Sequence, residues 1–237
     1  MKPMRLYTQR VNPFAHKVAV GLDIKRLPFE YVTVDDPTEV RRISPVTGQL
    51  PVIEHGGHRV ADSTAILRYV DERFPEPPLW SRDPKTGAAQ DQLMHWADAS
   101  FLFYWDRWRA ARYPRPGDDL PANPSLLAQL KRRIERSFGR PGRDPTPLEL
   151  RELQVLDELA NRMDDLVGML GSRDFFHADQ PSVADASVYG MLRIIRDGPM
   201  MGGREMVERR PPLAEYVERM ALVSPTVSGS ALPSFTD

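Results

Sequence analysis

Every stretch of this chain that reads as a β-strand lies in its first third, and a proline cluster, Phe74-Pro75-Glu76-Pro77-Pro78, closes that third off. From about residue 84 onward only helical periodicity remains. A chain divided in this way does not build one sheet along its length. It resolves into a small strand-bearing module, a proline-rich linker and a helical remainder. The expected division is 1–74 for the first domain, 75–83 for the linker and 84–237 for an all-helical second domain.

Within the first domain, Met4 to Thr8 reads as a strand, and Asn12-Pro13 as the cap and first residue of a helix carrying Phe14, Val18 and Leu22. After a break at Arg26-Leu27-Pro28, the β-branched and aromatic run Phe29 to Val34 is a second strand. Strand, helix and strand of these lengths imply a parallel pair with a right-handed crossover. Asp36 to Ile43 is a short, weakly helical piece. Leu50 to Glu54 and Arg59 to Ala61 are two further strands about the turn His55-Gly56-Gly57-His58, and Ser63 to Arg73 is a helix. The order is βαβαββα.

Beyond the linker, Ala88 to Arg112 carries Leu93, Trp96, Ala97, Phe101, Tyr104, Trp105 and Trp108 on a broad helical stripe. Pro124 to Phe138 and Thr146 to Leu170 repeat the pattern, with Tyr113 to Pro121 as a loop. Ser182-Val183-Ala184-Asp185 has the form of a capping box opening another helix, and Pro212 to Val223 is the last. The tail from Ser224 reads as irregular.

Composition narrows the functions open to the chain. Its 237 residues, 41% of them hydrophobic, suffice for a sizeable core. Its 32 Lys and Arg against 33 Asp and Glu leave a formal charge of −1, so no nucleic-acid partner is expected. No apolar run approaches the ~20 residues of a membrane span, and Met1-Lys2 leads straight into a strand pattern without a signal-peptide core. The expected location is the cytoplasm, with no membrane partner. There is no cysteine, so any sulfur chemistry has to come from a bound thiol. His16 and His177 have no partner at ligand spacing, and no metal is expected.

The stretch from Gln49 to Tyr69 has the makings of a small site. Leu50-Pro51 is a candidate cis bond, since proline lowers the cost of cis to ~0.5–1 kcal/mol from ~2.5–4. That geometry turns the N–H and C=O of Leu50 outward, free to pair with an extended peptide-like ligand. Asp62-Ser63 open a helix whose free N–H groups and positive dipole end suit a carboxylate. Read together, these are two halves of a peptide-carboxylate pocket. Read singly, Pro51 is an ordinary strand-start proline and Asp62-Ser63 an ordinary cap.

Four segments in order, N-P-F-A-H-K-V from Asn12, S-P-V-T-G-Q-L-P-V from Ser44, A-D-S-T-A-I-L-R-Y from Ala61 and Q-P-S-V-A-D from Gln180, give the chain its resemblance to the cytosolic glutathione transferases. The resemblance covers essentially the whole chain. It implies a thioredoxin-like first domain followed by a helical bundle. Leu50 resembles the residue before the family's cis-proline, whose backbone pairs with the cysteinyl part of glutathione, and Pro51 holds that geometry. Asp62 and Ser63 resemble the acidic-hydroxyl pair that receives the γ-glutamyl end, and Gln49 stands where family members reach the glycine end. Phe14, Phe101, Tyr104 and Trp108 would contribute to an acceptor pocket between the domains.

The resemblance further implies a homodimeric, detoxifying transferase with glutathione as co-substrate and a small hydrophobic electrophile as acceptor. Such enzymes lower the thiol pKa from about 8.5 with a hydrogen-bond donor or a helix N-terminus. The position where thiol-disulfide members carry cysteine is Asn12 here, which forms no mixed disulfide but has an amide able to donate to a thiolate. Tyr7 is the alternative donor, with burial in the core as its other reading. A non-catalytic glutathione-binding or interaction module of the same fold is the rival function.

Overall fold

The computed structural model describes residues 4–9, 12–114, 128, 146–200 and 202–228. Four strands, β1 (Met4–Thr8), β2 (Phe29–Thr33), β3 (Val52–His55) and β4 (His58–Ala61), form one sheet in the order β2-β1-β3-β4. β1 and β2 are parallel, whereas β1 with β3 and β3 with β4 are antiparallel. Helices α1 (Pro13–Ile24), α2 (Pro37–Ile43) and α3 (Ser63–Arg73) complete the expected βαβαββα order. The helical part comprises α4 (Pro84–Arg112), α5 (Pro147–Leu170), α6 (Val183–Asp197), α7 (Gly203–Glu208), α8 (Pro211–Val223) and α9 (Pro225–Ser228).

The chain forms two compact units, residues 1–98 with 166–237, and residues 99–165. In the first, the two faces of the sheet are covered separately. Tyr7 and Val52, opposite each other on β1 and β3, pack with Val34, Val40 and Ile43 on one side. Leu6 and Ile53, the neighbouring rung, point the other way and are fully buried. α1 packs against both α3 and α6, which is why it is apolar nearly all round and Val18, Ala19, Val20 and Leu22 are fully buried. Glycines permit the close approach: a Cβ on Gly21 would lie 2.3 Å from a Leu67 methyl, and one on Gly190 would lie 2.8 Å from the backbone nitrogen of Lys17.

The capping box at α6 is formed as the sequence implies. Asp185 accepts from the N–H of Ser182 at 2.8 Å and its hydroxyl at 2.9 Å, and also from the N–H of Phe176 at 3.0 Å and the Tyr216 hydroxyl at 3.2 Å. This buried carboxylate joins α6, the segment before it and α8. In the second unit, Trp108 is buried and its ring N–H donates to Glu152 at 2.9 Å, and Arg107 pairs with Glu158.

Several element ends differ from the sequence reading. β3 starts at Val52 rather than Leu50, because Pro51 has no N–H and the Leu50 carbonyl bonds to a side chain instead of the ladder. α4 starts at Pro84 rather than Ala88, held by the Asp83 carboxylate accepting from the N–H and hydroxyl of Thr86 at 2.8 and 2.7 Å. The tail expected to be irregular includes the short α9, where Asp23 accepts from the hydroxyls of Ser224 and Thr226, each at 2.7 Å. The helix expected over 124–138 lies outside the described residues, apart from Ala128, which is helical.

Candidate active site

The sheet register brings three chain ends to one edge. Tyr7 stands opposite Val52, and Val52 opposite Ala61. One step past that rung the chain enters β3 from Pro51 and leaves β4 into Asp62, so Leu50-Pro51 and Asp62-Ser63 emerge as neighbours. β1 ends at the same edge and leads to Asn12. The N-termini of α1 and α3 both start there, and their dipoles favour negative charge. The Leu50-Pro51 bond is cis.

Asn12 connects two of these ends. Its backbone is extended (φ −141°, ψ 103°), and its Oδ1 accepts from the N–H groups of Phe14 at 3.0 Å and Ala15 at 3.1 Å, capping α1. Its Nδ2 donates to the Leu50 carbonyl at 3.0 Å. These partners fix the amide orientation, because turning it over would set the amino group against two N–H donors and the oxygen against a carbonyl. Nδ2 has a second hydrogen beyond the one given to Leu50. The Leu50 carbonyl, expected to be free, is therefore held by Asn12 through one of its lone pairs. The Leu50 N–H makes no hydrogen bond among the described residues.

At the start of α3, Asp62 has φ 75° and ψ 126°, a conformation that costs a non-glycine residue roughly 1–3 kcal/mol and is tolerated where surroundings impose it. Its Oδ1 accepts from the Ala65 N–H at 2.9 Å. That leaves the N–H groups of Ser63 and Thr64, in the first turn, directed out of the helix end. The Ser63 hydroxyl makes no hydrogen bond among the described residues, although the residue is buried. Free backbone donors, a free hydroxyl and a positive helix end are a set of groups chemically suited to cradle a carboxylate.

Behind the cradle is a charged network absent from the sequence reading. Lys17 of α1 is completely buried, and its Nζ donates to Thr64 Oγ1 at 2.9 Å and to Asp98 Oδ2 at 2.6 Å. Ser187 of α6 donates to the other oxygen of Asp98. The signal was a lysine within Pro13 to Ile24, a helix otherwise almost wholly apolar.

The remaining candidates are spread more widely. Gln49 is exposed, with its N–H on Thr47 Oγ1 at 3.2 Å. Tyr7 is buried, and its hydroxyl donates to Glu54 at 3.3 Å, two residues into β3 from the rung at the site edge. Arg59 donates to the same carboxylate at 2.8 Å and holds Glu54 below the usual carboxylate range. Phe14 is half-buried in the first turn of α1. In the second unit, Phe101 and Trp105 stack at 5.5 Å, Tyr104 is half-buried and Trp108 is core. Among the described residues no three His, Cys, Asp or Glu side chains are grouped as metal ligands would be. None of the described helices is long and apolar enough to cross a membrane.

Residues 6–78 match the family described as glutathione S-transferase, N-terminal domain, and residues 159–220 match glutathione S-transferase, C-terminal domain. Glutathione S-transferase Z1 of Arabidopsis thaliana is 34% identical over 97 residues, 38% of this chain and 43% of that protein. Glutathione S-transferase 1 of Dianthus caryophyllus is 38% identical over 86 residues, 34% of this chain and 38% of that protein. The matched stretch thus spans less than half the length of either relative. A glutathione S-transferase of Methylobacterium radiotolerans, solved in complex with glutathione sulfonate, shares the fold with a TM-score of 0.68 at 23% identity, over 100% of this chain and 97% of that one. With the family's two domains matched in order along one chain, and with its fold, the protein belongs to the cytosolic glutathione S-transferase family.

Proposed function

We propose that this edge binds glutathione and that Asn12 activates its thiol for attack on a small hydrophobic electrophile. The observation that supports the reading best is the Asn12 amide, which grips the Leu50 carbonyl with one hydrogen and has another to donate. The Leu50 backbone pairs with the cysteinyl unit through its open N–H and the second carbonyl lone pair. The cradle of Ser63 and Thr64 N–H groups with the Ser63 hydroxyl receives the γ-glutamyl carboxylate, Asp62 faces the adjoining amine, and Gln49 lies toward the glycine end. The ionised sulfur accepts a hydrogen bond from Asn12 and sits at the positive end of α1, both of which favour thiolate over thiol.

In the reaction the thiolate electron pair forms a carbon–sulfur bond, the leaving group departs with the pair of the bond it loses, and the thiol proton has already gone to solvent. The chain contributes position and pKa lowering. The reading includes a homodimer working in the cytoplasm, with glutathione as co-substrate and no metal.

The test is retention on immobilised glutathione together with turnover of a generic aromatic halide. Retention with turnover is the expected result. Retention without turnover on a panel of electrophiles would leave a non-catalytic glutathione-binding module, and failure to be retained would remove the pocket.

A further inference from the structure

A fully buried ammonium needs an explanation. Taking a lysine out of water costs several kcal/mol, which ion pairing with Asp98 offsets only in part, and an apolar side chain at such a position is often as stable. Lys17 nevertheless lies at 0% exposure, on the helix that begins with Asn12, and its second partner is Thr64 in the first turn of the helix that begins with Ser63. It is held from behind, since Asp98 of α4 accepts from both Lys17 and Ser187 of α6. Thr64 Oγ1 has otherwise only a weak contact, 4.0 Å to the Met94 sulfur, so the ammonium is its main tether.

We infer that Lys17 is a positioning residue which, through Thr64, sets the start of α3 against the start of α1. This rests on the glutathione reading. The two helix starts hold different ends of one ligand: Asn12 faces the thiol, and the first turn of α3 faces the carboxylate beyond the γ-linkage. One buried ammonium bridging them fixes the span between sulfur and carboxylate. The Lys17 ammonium acts from behind the ligand rather than on it, because it is fully buried and two of its three hydrogens go to Thr64 and Asp98. Its effect is exerted on where the Ser63 hydroxyl points.

The experiment is a calorimetric titration of glutathione into the full chain and into Thr64→Val, Thr64→Ser, Ser63→Ala and the Ser63→Ala/Thr64→Val pair. Thr64→Val removes the tether, keeps the Lys17 to Asp98 ion pair and leaves one buried ammonium hydrogen unpaired, so the variant is expected to unfold at a lower temperature than the parent while staying folded at the temperature of the titration. Affinity is expected to fall about tenfold in Thr64→Val and in Ser63→Ala, the scale of one hydrogen bond, and no further when the two are combined. Thr64→Ser keeps the hydroxyl and binds as the parent does. Parent-like binding by Thr64→Val, or losses that multiply in the double variant, would overturn the positioning role while leaving glutathione binding intact. If the parent chain itself fails to bind glutathione, the proposed function falls and takes this role with it.

Discussion

Asn12 uses three of its four hydrogen-bonding capacities on the protein itself, two at Oδ1 and one at Nδ2. An alanine there would lose the cap, the hold on Leu50 and the proposed thiolate donor together, so its kinetics would not say which mattered. Asn12→Asp separates them. A carboxylate caps α1 as well as the amide does, yet it has no hydrogen to give, and its second oxygen would face the Leu50 carbonyl across about 3 Å. Turnover with an aromatic halide is expected to fall about tenfold or more, glutathione affinity to drop with it, and the bound thiol to titrate at higher pH. Steady-state kinetics and the ultraviolet absorbance of bound thiolate against pH read these out; unchanged turnover would take Asn12 out of the mechanism. At this scale the caps Asn12 and Asp62 and the cis bond at Leu50-Pro51 were legible, because helix caps and X-Pro bonds are local. The bond between Asn12 and Leu50 was not, as it spans 38 residues.

Among elements, α1 carries the largest burden, lying between α3 and α6 with the candidate site at its N-terminus. Its closeness to α6 depends on Gly190, where an added Cβ would meet the Lys17 backbone nitrogen at 2.8 Å. Backbone cannot step aside as a flexible side chain can. Gly190→Ala is therefore expected to destabilise the fold by about 1–3 kcal/mol through overpacking, despite alanine's better helix propensity. Urea unfolding measures it, and a variant as stable as its parent would show that the two helices have slack. Sequence periodicity revealed both helices and the capping box at Ser182 and Asp185, since each is a pattern within one element. It could not reveal that Gly190 faces Lys17, or that Asp185 also receives the Tyr216 hydroxyl from α8, because pairings between elements have no local signature. α9 was missed because its anchor, Asp23, lies some 200 residues away in the chain.

For the molecule as a whole, the strand-bearing start and helical remainder were readable from where strand signals stop, but the pH response of the fold was not, because it depends on burial. Two ionisable groups in the first unit oppose each other. Burial, aided by the nearby Arg193 guanidinium, lowers the His16 pKa from 6.5 to about 4, and its Nδ1 has no hydrogen-bond partner among the described residues. The unfolded chain then takes up a proton that native His16 refuses, so its contribution is present above pH 6.5 and is lost as the pH falls toward 4. Asp185 behaves in the opposite sense: burial raises it from 3.8 to about 6 against the pull of its four donors. Its contribution is full below 3.8 and is lost as the pH rises through 6. Each shift corresponds to about 3 kcal/mol at its limit, so across the shared window the two largely cancel and the parent chain shows little slope from either. His16→Leu should unmask Asp185. Relative to the parent, the variant is expected to gain about 2 kcal/mol at about pH 4.5 over its value at about pH 7, read from urea unfolding at each pH. An identical difference at both values would mean that native His16 titrates as it does in the unfolded chain.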